Sequence, residues 1–145
     1  MKYLILIFFA LFCNSCSKKE TTITTNNTVK SPFTLKYEII SSSDIYVPTG
    51  GVGADINIVN GTGQSEIKND FISGKTWSYT VNVTSTQRPI ICRLINTSTL
   101  WTKSTGTITG NIYINGTLKA TATNPISSLG ANYNYAVISL QTFIY

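Results

Sequence analysis

The chain has no histidine, one methionine, four prolines and three cysteines in 145 residues, and only six acidic side chains. Without histidine, a serine or cysteine nucleophile has no imidazole base, and the commonest zinc ligand is missing. Charged residues make up 12% of the sequence, about half the share of an average soluble domain. Ser, Thr and Asn take their place at roughly a third of the chain, a composition that favours strands and turns over helices. The formal net charge is +5, but the basic residues are scattered and not interleaved with aromatics, so no nucleic-acid partner is expected.

The one long apolar run, Tyr3 to Phe12, follows Lys2 and ends at Phe12-Cys13-Asn14-Ser15-Cys16. It is too short for a permanent membrane span, which takes about 20 apolar residues, and reads as a bacterial lipoprotein signal over 1–15. Cys16 is the lipidation residue, because small Ser15 and Asn14 precede it, whereas bulky Phe12 and Leu11 precede Cys13. Its sulfur takes a diacylglycerol and the freed amine a further palmitate-type chain. At roughly 0.8 kcal/mol per buried CH₂, three chains hold the protein in the membrane. Ser17 follows the acylated cysteine, which points to the outer membrane, on its periplasmic side or at the cell surface.

Residues 16–32 read as the lipidated cysteine and a flexible tether, polar, aperiodic and closed by Pro32. Residues 33–145 are left for one domain with a single core. Cys13 departs with the signal and Cys16 takes the lipid, so Cys92 has no disulfide partner. It lies in Ile90-Ile91-Cys92-Arg93-Leu94-Ile95, where a small buried side chain is expected and not a nucleophile.

From Phe33 onward the apolar period is two. Leu35, Tyr37 and Ile39 alternate with Lys36 and Glu38; Ala54, Ile56 and Ile58 alternate with Asp55 and Asn57. Trp77, Tyr79, Val81 and Val83 form the cleanest half-buried strand, with Trp77 as a core residue. Ile108, Ile112 and Ile114 run into Asn115-Gly116, the pair that tolerates a type I′ turn, and Leu118, Ala120 and Ala122 run out again. A last strand is expected from Tyr133 to Ile144. The pattern predicts an all-β fold: a single antiparallel β-sandwich of seven or eight short strands, immunoglobulin-like in shape.

The order Lys36-Tyr37-Glu38-Ile39, Ala54-Asp55-Ile56-Asn57-Ile58, Trp77-Ser78-Tyr79 and Gly110-Asn111-Ile112-Tyr113-Ile114-Asn115-Gly116-Thr117-Leu118-Lys119 resembles the MmpS-like family. These are small envelope proteins with one compact β domain on an N-terminal membrane anchor. The resemblance spans about Thr34 to Ser139. It implies that fold, an envelope location, no catalytic residues, and a role beside a resistance-nodulation-division type transporter exporting lipids or siderophores. Here a lipid anchor stands where those members have a transmembrane helix, and Lys75-Thr76 precede Trp77 where they carry a proline.

Trp101 lies in a polar stretch, and an exposed ring there beside Tyr113 or Tyr133 would suit a sugar or lipid; these three are the candidate binding residues. Asp55, Asn57 and Asn60 have a spacing like a calcium loop, but on a strand Asp55 and Asn57 simply share the solvent face. Gly50-Gly51-Val52-Gly53 lacks a strand-then-helix setting and reads as a loop. Glu66 and Asp70 flank Ile67-Lys68-Asn69 near a turn and read as solvated carboxylates. No metal, cofactor or enzyme activity is expected. Two functions remain: a non-catalytic accessory subunit of a transport complex, acting through a transporter protein partner, or a surface lipoprotein binding glycans or other small ligands through a sandwich face.

Overall fold

The computed structural model describes residues 28–46, 54–71, 73–96, 100–102, 105–128 and 134–145. Every regular element in them is a strand: β1 (Phe33–Tyr46), β2 (Ala54–Val59), β3 (Ser65–Phe71), β4 (Ser73–Val83), β5 (Ile90–Asn96), β6 (Leu100–Thr102), β7 (Thr107–Ile114), β8 (Thr117–Pro125), β9 (Ser127–Ser128), β10 (Asn134–Ala136) and β11 (Ser139–Ile144). All pairings are antiparallel, and two sheets pack face to face as a β-sandwich. The larger sheet runs β8-β7-β1-β6-β10-β9 with β4 on the other side of β1; the smaller runs β11-β5-β2-β3.

β1 organises the larger sheet. Leu35, Tyr37 and Ile39 face the interior, each 0% exposed, while Lys36 and Glu38 face out. One edge pairs with β4 from Phe33↔Val83 to Tyr46↔Ser73; the other pairs first with β7 and then, at Ile45↔Thr102, with β6. Between Ile40↔Thr76 and Ile45↔Gly74, β1 advances five residues while β4 advances two, so β1 bulges there. Two partners in series on one edge explain a strand of 14 residues where short strands were expected.

Among the described residues, eleven of the twenty-two buried apolar side chains are isoleucine. A β-branched side chain is stiff at χ1 and packs well on a pleated surface, and full burial of each contributes roughly 1.5–3 kcal/mol. Ile56 and Ile58 of β2, Cys92 and Leu94 of β5, and Leu140 and Ile144 of β11 meet the inner faces of β1 and β7. Gly110 of β7 permits a close approach in the core: a Cβ there would stand 2.7 Å from Ile138 Cγ1. Trp77 is 7% exposed and stacks on Tyr79 with ring centroids 6.5 Å apart, as the alternation of β4 predicts.

Three expectations need correction. The strand expected from Tyr133 to Ile144 is two strands, because the chain leaves the larger sheet after Ala136 and enters the smaller at Ser139. Asn96 holds this crossing: its N–H donates to Ile138 O (3.0 Å) and its Nδ2 to Ala136 O (3.2 Å). Among the described residues the strand segments number eleven, where seven or eight were expected, because β6, β9 and β10 are two or three residues long and carry no readable period. Leu118 is 48% exposed and does not join Ala120 inside, since a bulge between Ile112 and Tyr113 sets it opposite Tyr113. The Asn115-Gly116 turn is as expected, with φ of 48° and 76°, the signature of type I′.

Candidate functional site

The outer face of the larger sheet carries a built polar cluster around Glu38. Alternation turns Lys36, Glu38 and Ile40 of β1 outward, and pairing sets a row from each neighbouring strand beside them. Ser78, Glu38, Asn111 and Thr121 form one row across β4, β1, β7 and β8. Thr80, Lys36, Tyr113 and the exposed Leu118 form the next, and Thr76, Ile40, Thr109 and Thr123 a third. With strands about 4.8 Å apart and same-face residues about 6.7 Å apart, this grid measures roughly 14 by 13 Å.

Both Glu38 oxygens are taken. Lys36 Nζ donates to Oε1 at 2.8 Å, while Asn111 Nδ2 (3.1 Å) and the Tyr113 hydroxyl (2.9 Å) donate to Oε2. Thr121 Oγ1 donates in turn to Asn111 Oδ1 at 2.8 Å, and the Lys36 ammonium lies 5.3 Å from the Tyr113 ring centre. The Lys36 ammonium, helped by Asn111 and Tyr113, holds the Glu38 carboxyl below its ordinary value against the opposing effect of partial burial. The same bond raises Lys36, and partial burial raises Tyr113. The cluster is neutral overall, rigid, and rimmed by the exposed hydroxyls of Thr76, Ser78 and Thr80.

The candidate residues fare unequally. Tyr113 belongs to this cluster. Trp101 is described by its backbone alone, in β6 opposite Tyr135. β6 meets β1 at Ile45 and Tyr113 meets it at Lys36. On the unbulged partner β4 these points are Thr80 and Gly74, six residues or about 20 Å apart, so the Trp101 backbone stands well away from Tyr113. Tyr133, Cys16 and Gly50 to Gly53 lie outside the described residues. Asn60 is a turn former: its Oδ1 accepts from Thr62 N–H (3.0 Å), Thr62 Oγ1 (2.7 Å) and Gln64 N–H (3.1 Å), closing the β2–β3 turn. Glu66 lies in β3 two residues after that turn, one-third exposed and paired with Lys68, whose ammonium lies 4.4 Å from the Tyr79 ring centre. Asp70 is described by its backbone alone.

Cys92 is 0% exposed and burial pushes its thiol up to about 12, so it offers no thiolate near neutrality. Among the described residues no group of three or more Cys, Asp or Glu side chains is placed to hold a metal.

The outer face of the smaller sheet differs in kind. Ile67 (56% exposed), Ile91 (40%) and Tyr145 (45%) stand on it, and Phe143 stacks on Tyr145 with centroids 6.2 Å apart. Arg93 is the cation in its middle.

Sequence reasoning missed Arg88. Its guanidinium donates to the carbonyls of Val29 (2.9 Å), Ser85 (2.8 Å) and Gln87 (2.9 Å) and to Ser31 Oγ (2.9 Å), and lies 5.6 Å from the Phe33 ring centre. This ties the segment ahead of β1 to the β4–β5 loop. An arginine beside a proline in a polar loop gave no local signal of that partner, 59 residues away.

Compared with protein-family models and with curated proteins, the chain finds no match.

Proposed function

We propose that the chain is a non-catalytic, lipid-anchored envelope protein of the bacterial outer membrane that binds glycans on the outer face of the larger sheet. Cys16 carries the acyl chains, and the residues between it and Val29, where Arg88 takes hold of the chain, space the domain from the bilayer. The observation that carries the glycan reading is the locked Glu38–Lys36–Asn111–Tyr113 cluster among threonine and serine hydroxyls, with exposed Ile40 and Leu118 as apolar patches for a sugar ring. Preorganised polar groups on a rigid sheet bind without losing side-chain freedom on association. A face of mixed donors and acceptors with little net charge suits a neutral, hydroxyl-rich ligand. Glu38 is poorly suited to acid–base work, because both oxygens are already bonded and its carboxyl is held ionised.

The test is a glycan array probed with the full lipidated chain in detergent micelles, followed by calorimetry on the best hit. Thr80→Lys, which plants a second ammonium directly opposite Lys36 on the exposed face, should abolish binding and lower the melting temperature by no more than a few degrees. An array with no hit, or a hit that Thr80→Lys binds equally well, refutes the reading.

A second reading, an accessory subunit contacting a transporter protein, draws on the apolar residues Ile67, Ile91 and Tyr145 exposed on the opposite face. Co-purification of a transporter that Ile67→Asp abolishes would favour it.

A further inference from the structure

β2 and β5 are paired only at Ile56↔Asn96 and Asn57↔Ile95; beyond that, toward Val59 and Arg93, no ladder pair joins them. From the other sheet, the Tyr37 hydroxyl accepts the Val59 N–H across the interior at 3.0 Å, which closes the gap from inside. On the outside the gap is a cleft of ≈ 250 Å³, lined among others by Val59, Gln64, Ser65, Pro89, Ile91 and Arg93.

Arg93 is the unusual lining residue. Its neighbours Cys92 and Leu94 face the core, so alternation turns Arg93 outward, yet its Nε is shut off from solvent and has no hydrogen-bond partner. Neither of the ion pairs among the described residues involves it; these are Lys36 with Glu38 and Lys68 with Glu66. Ile91 and Ile95 flank it along β5, Gln141 lies directly across on β11, and Phe143 lies across from Ile91. A permanently charged, planar donor fork among apolar side chains, with one donor dry and unused, is complementary to a carboxylate.

We propose that Arg93 anchors the carboxylate of a small amphipathic monocarboxylic acid whose aliphatic or aromatic body lies on Ile91 and Phe143. The cleft volume suits a head group and not a whole large ligand, so the body must lie on the sheet face outside. At the rim, Gln64 and Ser65, whose side chains have no partner among the described residues, supply further donors. This site is on the opposite sheet from the proposed glycan face and stands or falls without it.

The probe is 4-phenylbutyrate, with 4-phenylbutyramide as its neutral counterpart, titrated into the full lipidated chain in micelles against an empty-micelle blank. Saturation-transfer NMR and calorimetry should give binding of the acid that is roughly tenfold or more tighter than that of the amide, with the same loss for the acid in Arg93→Gln. Thr80→Lys should bind the acid as the unaltered chain does. Equal affinity for acid and amide overturns the proposal, and so does undiminished binding by a folded Arg93→Gln variant. Should Arg93→Gln fail to fold, Ile91→Glu carries the test. It keeps Arg93 and sets a carboxylate beside it, so it should lose phenylbutyrate binding without losing stability; retained binding by Ile91→Glu overturns the proposal equally.

Discussion

Replacing Tyr37 with Phe removes one oxygen from the middle of the molecule, and the structure makes that oxygen costly. Tyr37 is 0% exposed, and its hydroxyl accepts the Val59 N–H at 3.0 Å. Val59 lies where β2 has no ladder pair with β5, so no strand on that side can replace the phenol. A buried N–H left unpaired costs about 1–3 kcal/mol, partly relieved where water enters from the cleft. The loss should therefore be about 1–3 kcal/mol, from a total stability of about 5–15 kcal/mol. For a domain of this size that lowers the melting temperature by roughly 4–12 °C. Urea unfolding followed by tryptophan fluorescence measures it, with Tyr145→Phe at the exposed C-terminal tyrosine as the control, expected within about 0.5 kcal/mol of the unaltered protein. A Tyr37→Phe loss as small as the control's would show that water satisfies the Val59 N–H, and the bridging role would be wrong.

Trp77→Ala should cost about 3–5 kcal/mol, since the ring is nearly buried and stacks on Tyr79; a melting temperature within a few degrees of the unaltered protein would contradict its core role. Alkaline pH should unfold the protein. Burial raises Tyr37 well above its ordinary range and Cys92 to about 12, so their stabilisation is fully present below the unfolded values near 9–10 and is lost as pH rises above them. Urea midpoints between pH 8 and 11 should therefore fall, less steeply in Cys92→Ala; a flat profile would refute the assignment.

Local periodicity made the strand interiors legible and left their partners hidden. Leu35, Tyr37 and Ile39, Ile56 and Ile58, Trp77 and Val83 each face inward on the phase their sequence shows. A period of two says which side chains share a face, but not which strand lies alongside. That is why Tyr113 was singled out without its partner Glu38, 75 residues away in the chain; the Trp101 strand meets β1 farther along, at Ile45. Arg93 did carry a local signal. It is the lone charge on the outward phase of Ile91-Arg93-Ile95, but Cys92 drew the reading of that segment toward the core. Leu118 was misplaced because a bulge shifts register by one residue without changing composition.

The edges of the sandwich explain why its faces are the places to bind. β3 ends the smaller sheet, and an end strand with free backbone groups invites another chain to pair with it. Glu66 and Lys68 lie opposite Ile58 and Ile56, both fully buried, so this charged pair points into the side of the sandwich and not out from its face. Lys68 there caps the Tyr79 ring of the opposing sheet, closing the interior where β3 and β4 run free. A strand added to β3 would have to pack against these inward charges, which would lose hydration without gaining a partner. Pairing at that edge is thus disfavoured by the same residues that seal the core. What remains accessible is the hydroxyl-rich face around Glu38 and the apolar face around Arg93, two surfaces of opposite chemistry held back to back by one isoleucine core.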